Sequence, residues 1–168
     1  MFGMTAVELY MIRHGLAAER GTYANDGDRP LTDEGIRKTK RVAKRLHELG
    51  LAFDLIQTSP LVRARETAQI LQAAGLATQL EESAHLAPAG NFNAWLNWLE
   101  QWRANSTCLA IVGHEPDLGE WAEKLVWADT RQRLVVKKAG VVGLSLPSSG
   151  SPVGRSQLVW LTSPRFLL

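Results

Sequence analysis

Read as apolar against polar positions, the chain opens on a nearly continuous apolar run, V-E-L-Y-M-I-R-H-G from Val7 to Gly15. Such runs predict strands buried on both faces in the middle of an α/β sheet. A shorter run, Phe53 to Thr58, predicts a second strand, and residues 78–82 a third. T-C-L-A-I-V-G then repeats the opening design, an apolar strand that ends in Gly113 and His114. Two last strand-like stretches, R-L-V-V-K-K-A-G-V-V-G-L-S-L and Q-L-V-W-L-T, flank the turn-rich P-S-S-G-S-P-V-G.

Between these runs the period changes to that of a helix. Ile36, Val42, Ala43, Leu46 and Leu49 recur at helical spacing, with Thr32 as the N-cap, Asp33 and Glu34 complementing the helix dipole, and Leu31 positioned to staple onto Ile36. Gly50 closes this helix. Ser59 as N-cap and Pro60 as first helical residue predict a second helix, packed through Leu61, Ala64, Ala68 and Leu71 and ended by Gly75. Trp95, Leu96, Trp98, Leu99 and Trp102 make the broad apolar face of a third, and Asp117 with Glu120 reads as a capping box for a fourth. Residues 16–31 are a polar, turn-rich connection expected to be flexible, and S-A-H-L-A-P-A-G-N is a loop. Strands alternating with helices in this order predict an α/β fold, and 168 residues suit one domain over the whole chain, 1–168.

Composition narrows the class. With 45% apolar and 21% charged residues the chain is ordinary for a globular protein. No run approaches a membrane span, and M-F-G-M-T-A lacks the features of a secretion signal, so the expectation is a cytoplasmic protein with no membrane partner. Cys108 is the lone cysteine and reads as a buried small hydrophobe. A net charge of +2 is too small for a nucleic-acid footprint. Arg37, Lys38, Lys40, Arg41, Lys44 and Arg45 nevertheless crowd one helix. The simplest reading is a solvated face; docking of an acidic partner or substrate is the alternative.

The chemistry gathers at strand ends, where ligands bind in open α/β sheets. Arg13 and His14 end the first strand, and Gly15, without a Cβ, permits a sharp turn and close approach of an anion. His114 ends the fourth, and Arg63 falls in the first turn of a helix. Arg65, about 200° further round, cannot share its role. Guanidinium groups match phosphate oxygens with forked hydrogen bonds and keep their charge. A neutral imidazole can attack phosphorus and carry the group covalently. Neighbouring positive charge should depress the pKa of the nucleophile, while the second histidine can stay protonated against phosphate or assist proton transfer.

Other phosphatase chemistries fit poorly. A cysteine phosphatase needs arginine six residues beyond its nucleophile, where Cys108 is followed by His114. Asp26 and Asp28 form a D-x-D in a polar loop rather than at a strand end, and the histidines stand beside arginines that would repel a metal cation.

M-I-R-H-G, R-P-L-T-x-x-G at Arg29 to Gly35, T-S-P-L-V-R-A-R-E-T at Thr58 to Thr67 and I-V-G-H-E-P-D at Ile111 to Asp117 together resemble the histidine phosphatase superfamily, also called phosphoglycerate-mutase-like. The resemblance covers the chain up to about residue 125. It implies a three-layer α/β/α sandwich with a mostly parallel sheet, catalysis without metal or other cofactor, and a phosphohistidine intermediate. By position His14 corresponds to the nucleophile, and Arg13, His14, Arg63 and His114 to the phosphate pocket. Relatives acting on small metabolites often insert a large cap, whereas Gly75 to Ser106 here holds a short strand, a loop and one helix. In that respect the chain resembles the small bacterial phosphohistidine phosphatases of the SixA type, and the expected partner is a protein-borne phosphohistidine or a small phosphomonoester. For the general acid the resemblance offers two positions, His85 in the S-A-H-L-A-P loop and Glu115 directly after His114. A domain that binds phosphate without turnover is the non-enzymatic alternative.

Overall fold

The computed structural model describes residues 6–168; the segment 1–5, most of the stretch read for a secretion signal, lies outside them. Six strands form one sheet in the order β3-β2-β4-β1-β5-β6. They are β1 (Val7–Arg13), β2 (Leu55–Thr58), β3 (Leu80–Glu82), β4 (Cys108–Gly113), β5 (Val141–Leu146) and β6 (Gln157–Thr162). β3, β2, β4 and β1 run parallel, and β5 and β6 complete the sheet by antiparallel pairing. The α/β sandwich expected from the sequence is the fold observed.

Alternation along the strands sorts the core into two halves. Leu9, Met11, Leu109, Ile111 and Val142 face one way, onto α3 (Phe92–Trp102) and α4 (Asp117–Trp127) through Trp95, Leu99, Leu118 and Trp121. Ile12, Ile56, Ala110, Val112 and Val141 face the other way, onto α1 (Asp33–Glu48) and α2 (Val62–Ala73) through Val42, Leu46, Ala64, Ala68 and Leu71. At about 25 cal/mol per Å² of apolar surface removed from water, these two faces are the main stabilising term.

Several local expectations are corrected. Thr32 does cap α1, its Oγ1 accepting from Gly35 N–H at 3.0 Å, and Gly50 follows the helix at φ +83°. α2, however, starts at Val62, not Pro60. Ser59 N–H is committed to the Val112 carbonyl (2.9 Å), which continues the sheet, and its hydroxyl points into the site described below. Asp117 is the first residue of α4 and not its cap: its Oδ2 accepts from Ala89 N–H at 2.7 Å and tethers the 87–90 loop. The stretch 134–140 has no strand, since the chain there folds over the carboxyl edge of the sheet before β5 begins. Cys108 opens β4 and is half-exposed, with Sγ 4.0 Å from Glu8; burial and the Glu8 and Asp54 carboxylates push its thiol up to about 12.

The connection 16–31 is the largest departure. Its two ends are zipped together by the Ala17–Leu31 bridge, by Ala18 N–H to the Pro30 carbonyl and by Thr32 N–H to the Leu16 carbonyl, both 2.9 Å. Backbone pairing at its base makes it a formed loop with a short 3₁₀ turn, Asp26–Asp28, at its far end.

Candidate active site

Strand register alone places two of the four expected residues side by side. Arg13 pairs with Gly113 and Thr58 with Val112, so the residues that follow, His14, His114 and Ser59, leave three adjacent strands at one level. His14 N–H still bonds the Gly113 carbonyl at 3.1 Å, and the two imidazoles lie 5.1 Å apart, centroid to centroid. Both histidines are buried.

Each ring is oriented by its partner. His14 Nδ1 is 2.7 Å from the Gly15 carbonyl, an acceptor, so the proton resides on Nδ1 and Nε2 is left with its lone pair. His114 Nε2 is 2.7 Å from Ser59 Oγ. Burial pushes the His14 pKa down to about 3, the Gly15 carbonyl opposing it and His114, Arg63 and Arg13 adding to it; burial followed by Arg63 and Arg13 brings His114 to about 4. Positive charge was expected to do this work, and removal from water is the larger cause. In the free site both rings are neutral at pH 7.

Arg13 and Arg63 both reach the same cleft, of about 640 Å³, together with His14, His114, Glu115 and Lys138. Arg13 donates to the Val136 carbonyl at 3.0 Å. Arg63, in the first turn of α2, donates Nη1 to the Asp26 carbonyl (2.9 Å) and Nη2 to Asp26 Oδ2 (3.1 Å). The same carboxylate takes Arg29 Nε at 2.7 Å, and this bond, ahead of the Coulombic pull of Arg63, lowers the Asp26 pKa. A guanidinium has five N–H donors, so both arginines of the site keep donors beyond these bonds. The loop 16–31 supplies a whole wall of the cleft through Leu16 to Arg20, Asp26 and Arg29.

Glu115 lines the cleft, but both its oxygens are engaged from behind. Oε1 accepts from Val136 N–H and Oε2 from Gly119 N–H (3.2 Å). Burial raises its pKa, and those two N–H groups and Arg13 pull the other way. His85 is not part of this cleft. It borders a small gap of about 10 Å³ on the other side of His114, with Gly113 and Asp117, and Pro88 is the residue of that loop that reaches the cleft. Gly15 does not offer its amide to an anion: that N–H goes to Thr67 Oγ1 at 3.0 Å. Glycine is needed there for packing, since a Cβ would stand 2.3 Å from Thr39 Oγ1.

Arg29, Asp26, Ser59 and Lys138 belong to the site and were not singled out by sequence. Arg29 and Ser59 lay within the motifs, where their own chemistry was the available signal. Asp26 was weighed only as half of a D-x-D pair. Nothing in local spacing points to Lys138, which arrives from the crossover before β5. Among the described residues no cluster of three His, Cys, Asp or Glu side chains could hold a metal ion.

Comparison with known proteins agrees with the geometry. The model of the histidine phosphatase superfamily (branch 1) matches residues 9–105. An uncharacterised protein of Picosynechococcus sp. is 50% identical over 164 residues, 96% of this chain and 99% of that protein. Among solved structures, the protein histidine phosphatase SixA complexed with tungstate superposes with a TM-score of 0.84 at 22% identity, over 96% of this chain and 100% of that one. The α-ribazole phosphatase from Shigella flexneri gives 0.71 at 18% identity, over 94% and 97%. The fold is therefore shared with enzymes of quite different substrates, and with the matching motifs lying at the strand ends that build the cleft, the chain belongs to the histidine phosphatase superfamily, branch 1.

Proposed function

We propose that the chain is a phosphatase that hydrolyses protein-borne phosphohistidine through a phosphorylated His14. The observation that carries this is the state of His14: a neutral ring, its Nδ1 proton tied to the Gly15 carbonyl, with Nε2 as the nucleophile among two arginines and a second histidine. Nε2 attacks phosphorus, the bond from phosphorus to the leaving nitrogen breaks, and that nitrogen departs with its electron pair, as neutral imidazole, from a substrate ring whose other nitrogen carries the proton. Water then attacks phospho-His14, the P–N bond breaks, and inorganic phosphate and neutral His14 are regenerated. Arg13 and Arg63 hold the equatorial oxygens throughout and stabilise their charge in the transition state. His114, neutral in the free site, gains affinity for a proton as a phosphate dianion enters, and donates to a phosphoryl oxygen.

Glu115 acts here as a positioning residue. It fixes Val136 through the N–H while the Val136 carbonyl fixes Arg13. Phosphohistidine suits a site so arranged, because its leaving group needs less protonation than an alkoxide. The absence of an inserted cap supports the same substrate: between Gly75 and Ser106 the chain has only β3, a 3₁₀ turn and α3, which leaves the cleft accessible to a side chain on another protein. A cytoplasmic setting and a role in phosphorelay signalling follow from this reading, with 1–168 acting as one domain. No described helix is long and apolar enough to cross a membrane.

A small phosphomonoester is the second reading, favoured by the Glu115 carboxyl along the cleft, whose pKa burial raises and which would serve as a proton source if it left its backbone partners. Turnover of a phosphohistidine protein against a panel of phosphorylated metabolites tests the choice. The proposal expects kcat/KM for the phosphohistidine protein to exceed every metabolite; a marked preference for one metabolite would refute it.

A further inference from the structure

α1 and α2 lie side by side on one face of the sheet, and a groove of about 450 Å³ runs between them at the surface. Its floor is apolar, with Ile36 from α1, Ile70 and Ala73 from α2, and Ala74 directly after α2. Arg37, Lys40, Arg41 and Lys44 follow one another at i, i+3, i+4 and i+7, so they form a single stripe along α1, and Lys40 borders the groove itself. All four are exposed.

Three of the four cations of the stripe are not neutralised from within. Glu34 is paired with Lys38 at 2.6 Å and Glu48 with Arg45 at 3.4 Å, and Lys44 stands 3.8 Å from the same Glu48. Arg37, Lys40 and Arg41 have no carboxylate partner among the described residues. On the α2 side the one acid, Glu66, is engaged by Leu31 N–H at 2.6 Å. That bond also ties the groove to the loop that walls the cleft, and both helices begin at the sheet edge where His14 stands. A solvated helix face accounts for the charges; it does not account for an apolar trough beside them.

We propose that this groove docks an acidic amphipathic helix of the phosphohistidine-bearing protein, a proposal that deepens the phosphatase reading and rests on it for the identity of the partner. A groove between two parallel helices accepts a third by ridges into grooves, its apolar side on Ile70 and Ala73 and its carboxylates toward the α1 stripe. α2 is twelve residues long, so the trough fits a helix of about three turns, roughly 18 Å. Nucleic acid would satisfy the cations and leave the floor uncovered, and the floor has no aromatic side chain on which a base could stack.

The test has two arms. In the binding arm, a fluorescent three-turn peptide with Leu on one face and Glu on the other is titrated against the full chain, beside a scrambled peptide of equal composition, a short duplex DNA and anionic vesicles. Expected is binding of the patterned peptide alone, weakened roughly tenfold by R37E/R41E and by Ala73→Glu and kept by R37K/R41K. Equal binding of the scrambled peptide, preference for DNA or vesicles, or indifference to these variants would overturn the proposal. In the turnover arm, R37E/R41E raises KM for a phosphorylated histidine phosphotransfer domain roughly tenfold and leaves kcat/KM for p-nitrophenyl phosphate unchanged; equal effects on both substrates would count against docking. Failure of the unaltered protein on both substrates would remove the phosphatase reading, and the peptide titration would still decide the groove.

Discussion

Asp26 closes on Arg63 with both its backbone and its side chain, the carbonyl 2.9 Å from Nη1 and Oδ2 3.1 Å from Nη2, so a loop carboxylate occupies the arginine that the proposed reaction assigns to phosphate. It pairs with Arg29 and Arg63, and under the proposed reaction its charge would oppose an arriving phosphate dianion. Asp26→Asn removes the charge and keeps the shape. Because Asp26 is itself largely exposed, about 1 kcal/mol is the expected gain. Competitive inhibition by inorganic phosphate should tighten about fivefold; weaker inhibition would mean that Asp26 organises the arginines more than it opposes the ligand.

The Ser59 hydroxyl orients His114 through one 2.7 Å bond. Ser59→Ala leaves the sheet bond of its backbone in place, gives up the long 3.3 Å bond that Oγ accepts from Leu61 N–H, and frees the ring to turn. A loss of about 1 kcal/mol, or roughly fivefold in kcat with little change in fold stability, is expected from a single hydrogen bond. An unchanged kcat would show that packing alone sets the His114 ring.

Glu115→Gln places an NH₂ against a backbone N–H at either Val136 or Gly119, two donors facing each other. A cost of about 1–3 kcal/mol in stability is expected, with Arg13 displaced through Val136. If Glu115 positions and does not protonate, kcat/KM falls by the same factor for p-nitrophenyl phosphate and for an alkyl phosphate. A selective loss on the alkyl ester would instead identify it as the acid.

The two histidines make the fold sensitive to acid. Their folded pKa values, about 3 and about 4, lie below the ordinary imidazole value of 6.5, so the unfolded chain takes up protons first. Stability from these groups is complete above pH 6.5 and is lost as pH falls from there toward 4 and 3, at up to about 1.4 kcal/mol per pH unit for each ring. NMR of the imidazole carbons should show His14 and His114 neutral at pH 5.5; titration of either near 6.5 would contradict the burial argument.

Gly35, in the first turn of α1, has no unusual φ, yet a Cβ there would lie 2.0 Å from the Leu16 carbonyl oxygen. Alanine gains helix propensity worth about 1 kcal/mol and loses more, since the loop that walls the cleft must move. Gly35→Ala should lower the melting temperature and weaken phosphate inhibition together. A higher melting temperature would show that Leu16 yields freely.

Much of this was legible because the chemistry sits at strand ends. An apolar run closing in Arg13-His14, and another in Gly113-His114, carry both the fold position and the residue type, and parallel register does the rest. The Thr32 cap was equally plain, its signals being contained within four residues. What escaped depends on contacts between distant segments. Asp26 meets Arg63 across 37 positions and Lys138 arrives from beyond α4, so no local pattern could place them. Local rules also misled where tertiary contacts claimed the same atoms: Ser59 looked like the cap, and its hydroxyl accepts from Leu61 N–H before the helix but also serves His114, while Asp117 looked like a cap and holds the Ala89 loop. The polar composition of 16–31 suggested mobility, and its end-to-end backbone pairing lay outside what composition reports.

The central claim is that His14 carries the phosphoryl group. Rapid quench of the enzyme with a radiolabelled phosphoryl donor, followed by peptide mapping, tests it most directly. The account predicts acid-labile, base-stable label on the peptide containing His14, formed as fast as the burst of first product and absent from His14→Ala, which is also inactive. Wild-type turnover by His14→Ala, or label on any other residue, would contradict it.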